Sequence, residues 1–510
     1  MGIAPGSEYP IAKSVGSWLG NPLSALKQPN FMRLFFVALA GNLFSKMGAL
    51  LPGMAPDDYF FAFPIHDTKD LWTFVAQGRG ADLLLVKAAA AFGLSLVSIQ
   101  VPALLLAMVT ISLFIAAAIN AVAGKSPSIA LCMCAAAIAA TLPYLSAYFL
   151  FRMIIVIQAL AYAALFVATW ALSCETLSSW RKFIICTTLI TVWCHSTQMV
   201  LLIFSVTGMA WALAQGCRAL DEGREYGAAL RPMGLVAGIL ACSALLYFAS
   251  SSWVREITGV EALVAYTPHL TLGLKGLIVA EGRLAWELLV GKESIIPAAL
   301  KIAFFALIAI TLVIATRPRK YWSAAALIVL IAGILVTALP MALSWGGYVP
   351  RTFSTLGAVL ALSLALAANG VRGRAGRRLA LLFAPFLLAF SMTSGTLFYQ
   401  QVLLTHWDQR TAAGVYHDAT TSGLLTAGRR LRLVTPWPSH SQILSIDGLG
   451  VNESTLQHPW SYPGLFAVAA GEPLPLATSG DPKLCEGYPI WPAPGAIRLV
   501  GDHDIYVCLH

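Results

Sequence analysis

Charged side chains are scarce in this 510-residue chain: Asp, Glu, Lys and Arg together make up 11% of it. Soluble domains carry about a quarter. So little charge cannot cover the water-exposed surface of a protein this size, which excludes an ordinary soluble globular fold. Several chemical signatures are also missing. There is no GxxxxGK[ST] phosphate loop, no GxSxG elbow, no HExxH and no paired CxxC. Cys132 and Cys134 lie in an apolar stretch with no matching histidine cluster. No clear internal repeat is visible, which weighs against a transporter built from duplicated halves. The N-terminus lacks a charged region leading directly into a short apolar run, so the first apolar stretch reads as a retained signal-anchor.

What the chain has instead is apolar length. Hydrophobic residues make up 58%, mean hydropathy is +0.75, and runs of about 20 apolar residues recur. The runs are continuous, as in Ala103–Ala123, and not the short alternating segments of a barrel. Because backbone polar groups in lipid must be satisfied within the segment, such runs predict helices. The fold class is therefore a polytopic α-helical membrane protein. Eleven spans are predicted, at 31–52, 95–123, 128–143, 151–173, 182–195, 198–216, 232–252, 295–316, 322–343, 352–371 and 379–399, of which the third and fifth are short.

The net charge of +9 does not point to nucleic acid, because the basic residues fall in short loops between apolar runs. Lys125, Arg181-Lys182, Arg218/Arg224/Arg231, Arg317/Arg319/Lys320 and Arg372/Arg374/Arg377/Arg378 all fall on one side, together with Lys13, Lys27 and Arg33. By the positive-inside rule that side is cytoplasmic. This gives a cytoplasmic tail at 1–30, in which Ile11, Val15, Trp18, Leu19 and Leu23 are spaced as one face of an interfacial helix. A transmembrane domain follows at 31–399, with outer loops at 53–94 and 253–294, and a C-terminal outer domain at 400–510.

The outer pieces carry their own patterns. Asp67 and Asp70 are placed to cap a helix bearing Leu71, Trp72 and Val75, and Ala81–Phe92 is apolar enough to dip into the interface. In the tail, 431–434, 442–446, 497–500 and 505–507 read as strands separated by Pro and Gly, a small α+β unit. Cys485 and Cys508 both lie in this tail, and outside the cytoplasm a disulfide between them is plausible. The other seven cysteines lie in or beside apolar spans and read as small core residues. Asn452-Glu453-Ser454 matches a glycosylation sequon.

The first span delivers Asp57-Asp58 to the outer rim of the lipid, in the context Pro56-Asp57-Asp58-Tyr59. Carboxylates beside hydrocarbon are costly and mark function by default. One would act as general base towards an attacking hydroxyl and its neighbour would orient the acceptor, or the two would hold a divalent cation. No other cofactor is implied. A helix cap or turn is the plain alternative. On the same face stand Arg79 between glycines, Arg152 after Tyr144 and Tyr148, and Arg351 after Trp345 and Tyr348. Arginine forks suit phosphate oxygens. Snorkelling explains Arg152 and Arg351 equally well, and an ion pair with Asp82 is the rival for Arg79. His195 sits in a polar break between two spans, and His269 and Lys275 lie in the second outer loop. Trp72, Trp345 and Tyr348 could stack on a sugar or belong to an interfacial aromatic belt.

Taken together, Pro56-Asp57-Asp58-Tyr59, the Trp72…Gln77-Gly78-Arg79 segment, the Pro350-Arg351 span start and Asp408-Gln409 resemble the GT-C class of membrane glycosyltransferases. Within it the chain is most similar to the GtrII-like glucosyltransferases that modify bacterial O-antigen. The resemblance implies a bacterial inner-membrane enzyme with a periplasmic C-terminal domain. It implies a polyprenyl-phosphate sugar donor, with glucose as the sugar and mannose, galactose and arabinose as alternatives. The acceptor is a hydroxyl of an envelope glycan, the catalytic acid lies in the first outer loop, and configuration is inverted. Arg79, Arg152, Arg351, His195, Tyr59, Trp345, Tyr348, Lys275 and His269 are then candidates for the donor phosphate or sugar. A flippase for lipid-linked sugars and a non-catalytic envelope-assembly partner are the rival readings.

Overall fold

The computed structural model describes residues 29–63, 79–224, 227–259, 273–290, 295–316, 320–344, 353–371, 373–426, 428–435, 451–471 and 477–509. The candidate helix at 67–75 with Trp72, the tail at 1–28, the predicted strand at 442–446, and His269, Trp345, Tyr348 and Arg351 lie outside them.

Among the described residues, nine helices are long and apolar enough to cross a membrane: Asn30–Leu50, Gln100–Val122, Ile129–Leu150, Arg152–Ser173, Met199–Asp221, Leu230–Ile257, Ala298–Ala315, Lys320–Ala338 and Gly373–Thr421. At about 1.5 Å per residue a 23-residue helix such as Gln100–Val122 is roughly 34 Å long, enough for a ~30 Å hydrocarbon core. The remaining two predicted spans are helical but shorter, Ser179–Cys194 with 16 residues and Thr355–Ala367 with 13.

Three of the eleven predicted lengths differ for identifiable reasons. The stretch at 128–143 is not short, because Pro143–Ser146 and Ala147–Leu150 extend the Ile129–Thr141 helix past its proline. The shortest is Thr355–Ala367, all of whose residues except the half-buried Ala358 are buried. Surrounded by other helices, it has no lipid to match in thickness. The span predicted to stop at 399 does not stop there. It belongs to a 49-residue helix, Gly373–Thr421, whose last turns leave the bundle and become part of the C-terminal core. Trp253, Arg255 and Glu256 likewise fall inside the Gly227–Thr258 helix and not in a loop.

Among the described residues, the loop at Lys125 and the helix ends at Arg218, Trp322 and Asn369 meet at one end of the bundle. Arg317, Arg319 and Arg372 lie outside the described residues. Arg218 donates to the carbonyls of Ala121 and Ala123 at 2.7 and 2.6 Å. Lys125 pairs with Glu222 at 3.3 Å, Gly124 donates to Asn369, and Trp322 donates to Asp221 at 3.1 Å. The segment with Asp57-Asp58 lies at the opposite end of the Gln100–Val122 and Arg152–Ser173 helices. There Gln100 donates to the Ala49 carbonyl, and Arg152 to the Leu51 and Gly53 carbonyls. Lys46, fully buried, closes this end of the first helix onto the Ile129–Thr141 helix by donating to the Ala140 carbonyl.

The C-terminal unit is a four-stranded sheet in the order β2-β1-β4-β3, with β1 Arg430–Val434, β2 Ala477–Ser479, β3 Ile497–Val500 and β4 Asp504–Cys508. β1 runs parallel to β2 and β4, and β3 is antiparallel to β4. Alternate residues Leu431, Leu433, Ile505 and Val507 pack on Leu465 and Phe466 of the Tyr462–Ala470 helix and on Ala412, Val415 and Ala419 of the long helix. Cys485 and Cys508 form a disulfide that ties the loop before β3 to the end of β4. Met54 and Tyr59 belong to the same apolar cluster, so this unit closes over the segment that carries the paired acids.

That closure is tightest at Gly464, where an added Cβ would lie 2.0 Å from the Tyr59 carbonyl oxygen. Backbone cannot yield as a flexible side chain can, so Gly464→Ala is expected to cost about 1–3 kcal/mol by overpacking. The check is the unfolding midpoint of the detergent-solubilised protein. An unchanged midpoint would mean that the two segments part easily.

Candidate functional site

Asp57 and Asp58 are neighbours with different surroundings. Pro52 and Gly53 end the first helix, and Pro56 starts a one-turn helix, Pro56–Phe60, in which both acids fall in the first turn. Asp58 turns inward and is 0% exposed. Its carboxylate accepts the Ala55 N–H at 2.9 Å, capping its own helix, and the Met153 N–H at 3.0 Å, capping the Arg152–Ser173 helix. Negative charge at two helix N-termini is favourable. Burial nevertheless pushes the carboxyl up to about 7, with these hydrogen bonds and the Arg152 charge opposing it.

Asp57 turns outward. It is half-buried, and its Oδ1 accepts the indole N–H of Trp460 at 3.2 Å. The two acids therefore do not converge on one point. Both Asp58 oxygens are occupied by backbone donors, which leaves Asp57 as the carboxylate that faces outward. Among the described residues no group of three or more His, Cys, Asp or Glu could hold a metal ion.

The platform beneath Asp57 is built from three distant segments. Arg152 donates from Nε to the Gly53 carbonyl at 2.7 Å and from a terminal nitrogen to the Leu51 carbonyl at 2.8 Å. Gln401 and Thr405, on the long helix, bind Met54: Gln401 donates to its carbonyl and Thr405 accepts its N–H, each at 2.7 Å. Arg152 thus fixes the chain break that aims the acids. A small cavity lined by Leu51, Gly53, Phe149, Leu150 and Gln401 beneath the break has room for about one water molecule.

Tyr59 is buried, and burial together with the Asp408 charge raises its phenol above the ordinary range. Asp408 is itself buried in the long helix. It accepts from the Ser454 hydroxyl at 2.5 Å and the Thr455 N–H at 2.7 Å. These bonds fix residues 451–461 and so carry Trp460 to Asp57. The sequon is not a modification site in this arrangement. Asn452 is buried with φ of 50° and donates to Gln400, and Ser454 is held by Asp408.

A second polar cluster lies alongside. Arg79 pairs with Asp82 at 2.7 Å, and Asp82, buried, accepts from the Ser196 hydroxyl. Burial raises the Asp82 carboxyl, and the Arg79 charge opposes the rise. His195 caps the Ser179–Cys194 helix. Its Nε2 lies 2.8 Å from the Ser250 hydroxyl, its ring packs on Tyr247, and its carbonyl accepts the Ala81 N–H at 3.0 Å. The clusters share an apolar seam of Phe61, Leu83, Val86 and Met153. Lys275 is exposed on the Gly273–Leu289 helix, outside both clusters.

The fold thus brings together Asp57, Asp58, Tyr59 and Arg152, places Arg79 and His195 in the adjoining cluster, and leaves Lys275 apart. Sequence reading passed over Trp460, His458, Gln401 and Thr405. Gln401, Thr405 and Asp408 recur at helical spacing beside Leu397, Phe398 and Leu404, a polar stripe in an apolar stretch that was the available signal. Trp460 carried no comparable signal, because it reaches Asp57 across 403 positions of sequence. In comparison with known proteins, the chain matches no family model, no curated protein and no solved structure.

The raised Asp58 carboxyl has a thermodynamic consequence. The folded protein keeps a proton that the unfolded chain, at an ordinary 3.8, releases. Its contribution to stability is therefore complete below about pH 4 and is lost as pH rises to about 7. Unfolding midpoints measured across that window are expected to decline less in Asp58→Asn than in the parent. Parallel profiles would show that Asp58 does not hold the proton.

Proposed function

We propose that this protein is a membrane glycosyltransferase that moves a sugar from a polyprenyl-phosphate donor to a glycan hydroxyl at the membrane surface. The observation that carries the reading is Asp57: a half-buried carboxylate, turned outward from a fixed platform at one end of a bundle of membrane-length helices. A base in such a place meets both a lipid-borne donor and a water-borne acceptor.

In this reading Asp57 accepts the proton of the acceptor hydroxyl as its oxygen bonds to the anomeric carbon. The bond from that carbon to the phosphate oxygen breaks, and the phosphate leaves with the electron pair. Attack opposite the leaving group inverts the centre. Asp58 and Arg152 serve as positioning residues, since their hydrogen bonds go to the backbone around Asp57. The leaving phosphate needs cations, and Arg79 and Arg351 are the candidates; the charge of Arg152 stands nearby. The Asp57 end is assigned to the periplasmic side of a bacterial inner membrane, with the basic loops in the cytoplasm. Glucose is the proposed sugar.

Two outcomes test this. Asp57→Asn is expected to lower transfer from a polyprenyl-phosphate sugar by about 10²–10⁴-fold, the usual worth of a general base, with folding and insertion unchanged. Transfer at the parent rate would remove the assignment. Movement of the lipid-linked sugar across the bilayer without bond exchange would replace it with a flippase. In a variant depleted of free thiols, cysteines placed beside Asp57 and at Asp502 should react with an impermeant reagent from outside, and one at Lys125 should not. Labelling of all three from one side would overturn the orientation.

A further inference from the structure

We infer that Trp460 and His458 form the platform on which the acceptor sugar ring rests, making the 451–461 segment a determinant of acceptor specificity. The inference rests on the glycosyltransferase reading for the word acceptor, but not for the binding of a sugar.

Trp460 is 56% exposed, yet it is not a loose surface side chain. It sits in the middle of a single turn, Pro459–Ser461, with Pro459 before it. On the N-terminal side, Asp408 holds Ser454 and Thr455, and Leu456 is buried in the apolar cluster of the sheet unit. On the C-terminal side, Tyr462 is buried, and its hydroxyl donates back to the Leu456 carbonyl at 2.9 Å. The turn is pinned at both ends, Ser461 is buried, and Pro459 and Trp460 are its exposed residues. The edge of the indole is fixed as well, by donation to Asp57. Exposure of a large apolar ring held this firmly leaves a flat face presented to whatever approaches Asp57.

A pyranose suits such a face. Its axial C–H groups pack on an aromatic ring, and its equatorial hydroxyls point outward from the ring edge. A sugar on Trp460 would have edge hydroxyls beside the carboxylate that the indole N–H already touches. His458 supplies a second wall: its ring centroid lies 4.6 Å from that of Trp460, tilted by 47°. Its Nε2 lies 3.0 Å from a Glu453 oxygen. Glu453 and His458 are mostly buried and offer hydrogen-bonding groups at the rim. A tryptophan serving only as a membrane-interface anchor would be expected among lipid-facing apolar side chains. Here its neighbours are Asp57 and His458, the latter paired with Glu453.

The test uses the full-length protein in detergent, with a panel of methyl glycosides of glucose, galactose, rhamnose and N-acetylglucosamine as probes. Ligand-observed saturation-transfer spectra report binding without requiring turnover. At least one glycoside is expected to bind the parent, about tenfold more weakly to Trp460→Ala, and with intermediate strength to Trp460→Phe, which keeps a face but loses the N–H. Where transfer is measurable, Trp460→Ala should raise KM for the acceptor and leave KM for the donor unchanged. If Trp460→Ala disturbs folding, His458→Ala carries the same expectation at smaller amplitude. Equal glycoside binding by parent and variants overturns the platform, as does a defect confined to membrane insertion. Because Asp57→Asn keeps the indole in place, glycoside binding together with transfer at the parent rate in that variant would sink the base assignment and spare the platform.

Discussion

A buried carboxylate receiving two backbone N–H groups is the constraint on which the rest of this structure depends. Asp58 joins the turn after the first helix to the start of the Arg152–Ser173 helix, segments 95 residues apart. Arg152, at the helix start, reaches back to the carbonyls of the same turn. The two contacts form a closed exchange: acid to amides, guanidinium to carbonyls. Without Asp58, the Met153 N–H would be left buried without an acceptor, and the chain around Asp57 would lose its fixed direction. Burial raises this carboxyl, and the donor that each of its oxygens has offsets part of the cost of burying it.

The outward direction of Asp57 follows from that anchoring, and so does the role of the C-terminal unit. The Gly373–Thr421 helix runs from the bundle into the sheet unit without a break, and on the way it presents Gln401, Thr405 and Asp408. The first two hold Met54, three residues before Asp57, and the third holds the segment that carries Trp460. One rigid helix therefore sets both the acid and the aromatic ring that meets it. Rigid elements hold such constellations more accurately than loops do. The sheet unit then acts less as an appended domain than as the second half of the site.

Legibility in the sequence tracked how local each determinant was. Helix formation in the apolar stretches follows from the absence of water partners for the backbone, so the positions of the long helices could be read directly. Strands 431–434, 497–500 and 505–507 were legible from alternation and Pro/Gly punctuation, whereas β2 at Ala477–Ser479 is too short to carry a pattern. The pair Asp57-Asp58 stood out because acids beside hydrocarbon are rare. Which of the two faces outward was not legible, because adjacent residues of one helical turn differ only in what packs around them. Arg152 reads in sequence as a phosphate ligand or a snorkelling cation, and the fold makes it a clamp on two carbonyls.

The sequence by itself determined the class of solvent: with so few charges and such long apolar runs, the chain has to form hydrogen-bonded helices that lipid can surround. It also determined where an acidic pair would interrupt that pattern. Tertiary structure alone decided that Asp58 is sealed in as a cap, that Thr355–Ala367 lies among other helices, and that Trp460 reaches Asp57. Each of these depends on contacts between residues tens to hundreds of positions apart. Hydropathy and spacing register only neighbours along the chain, so they carry no information about such pairings.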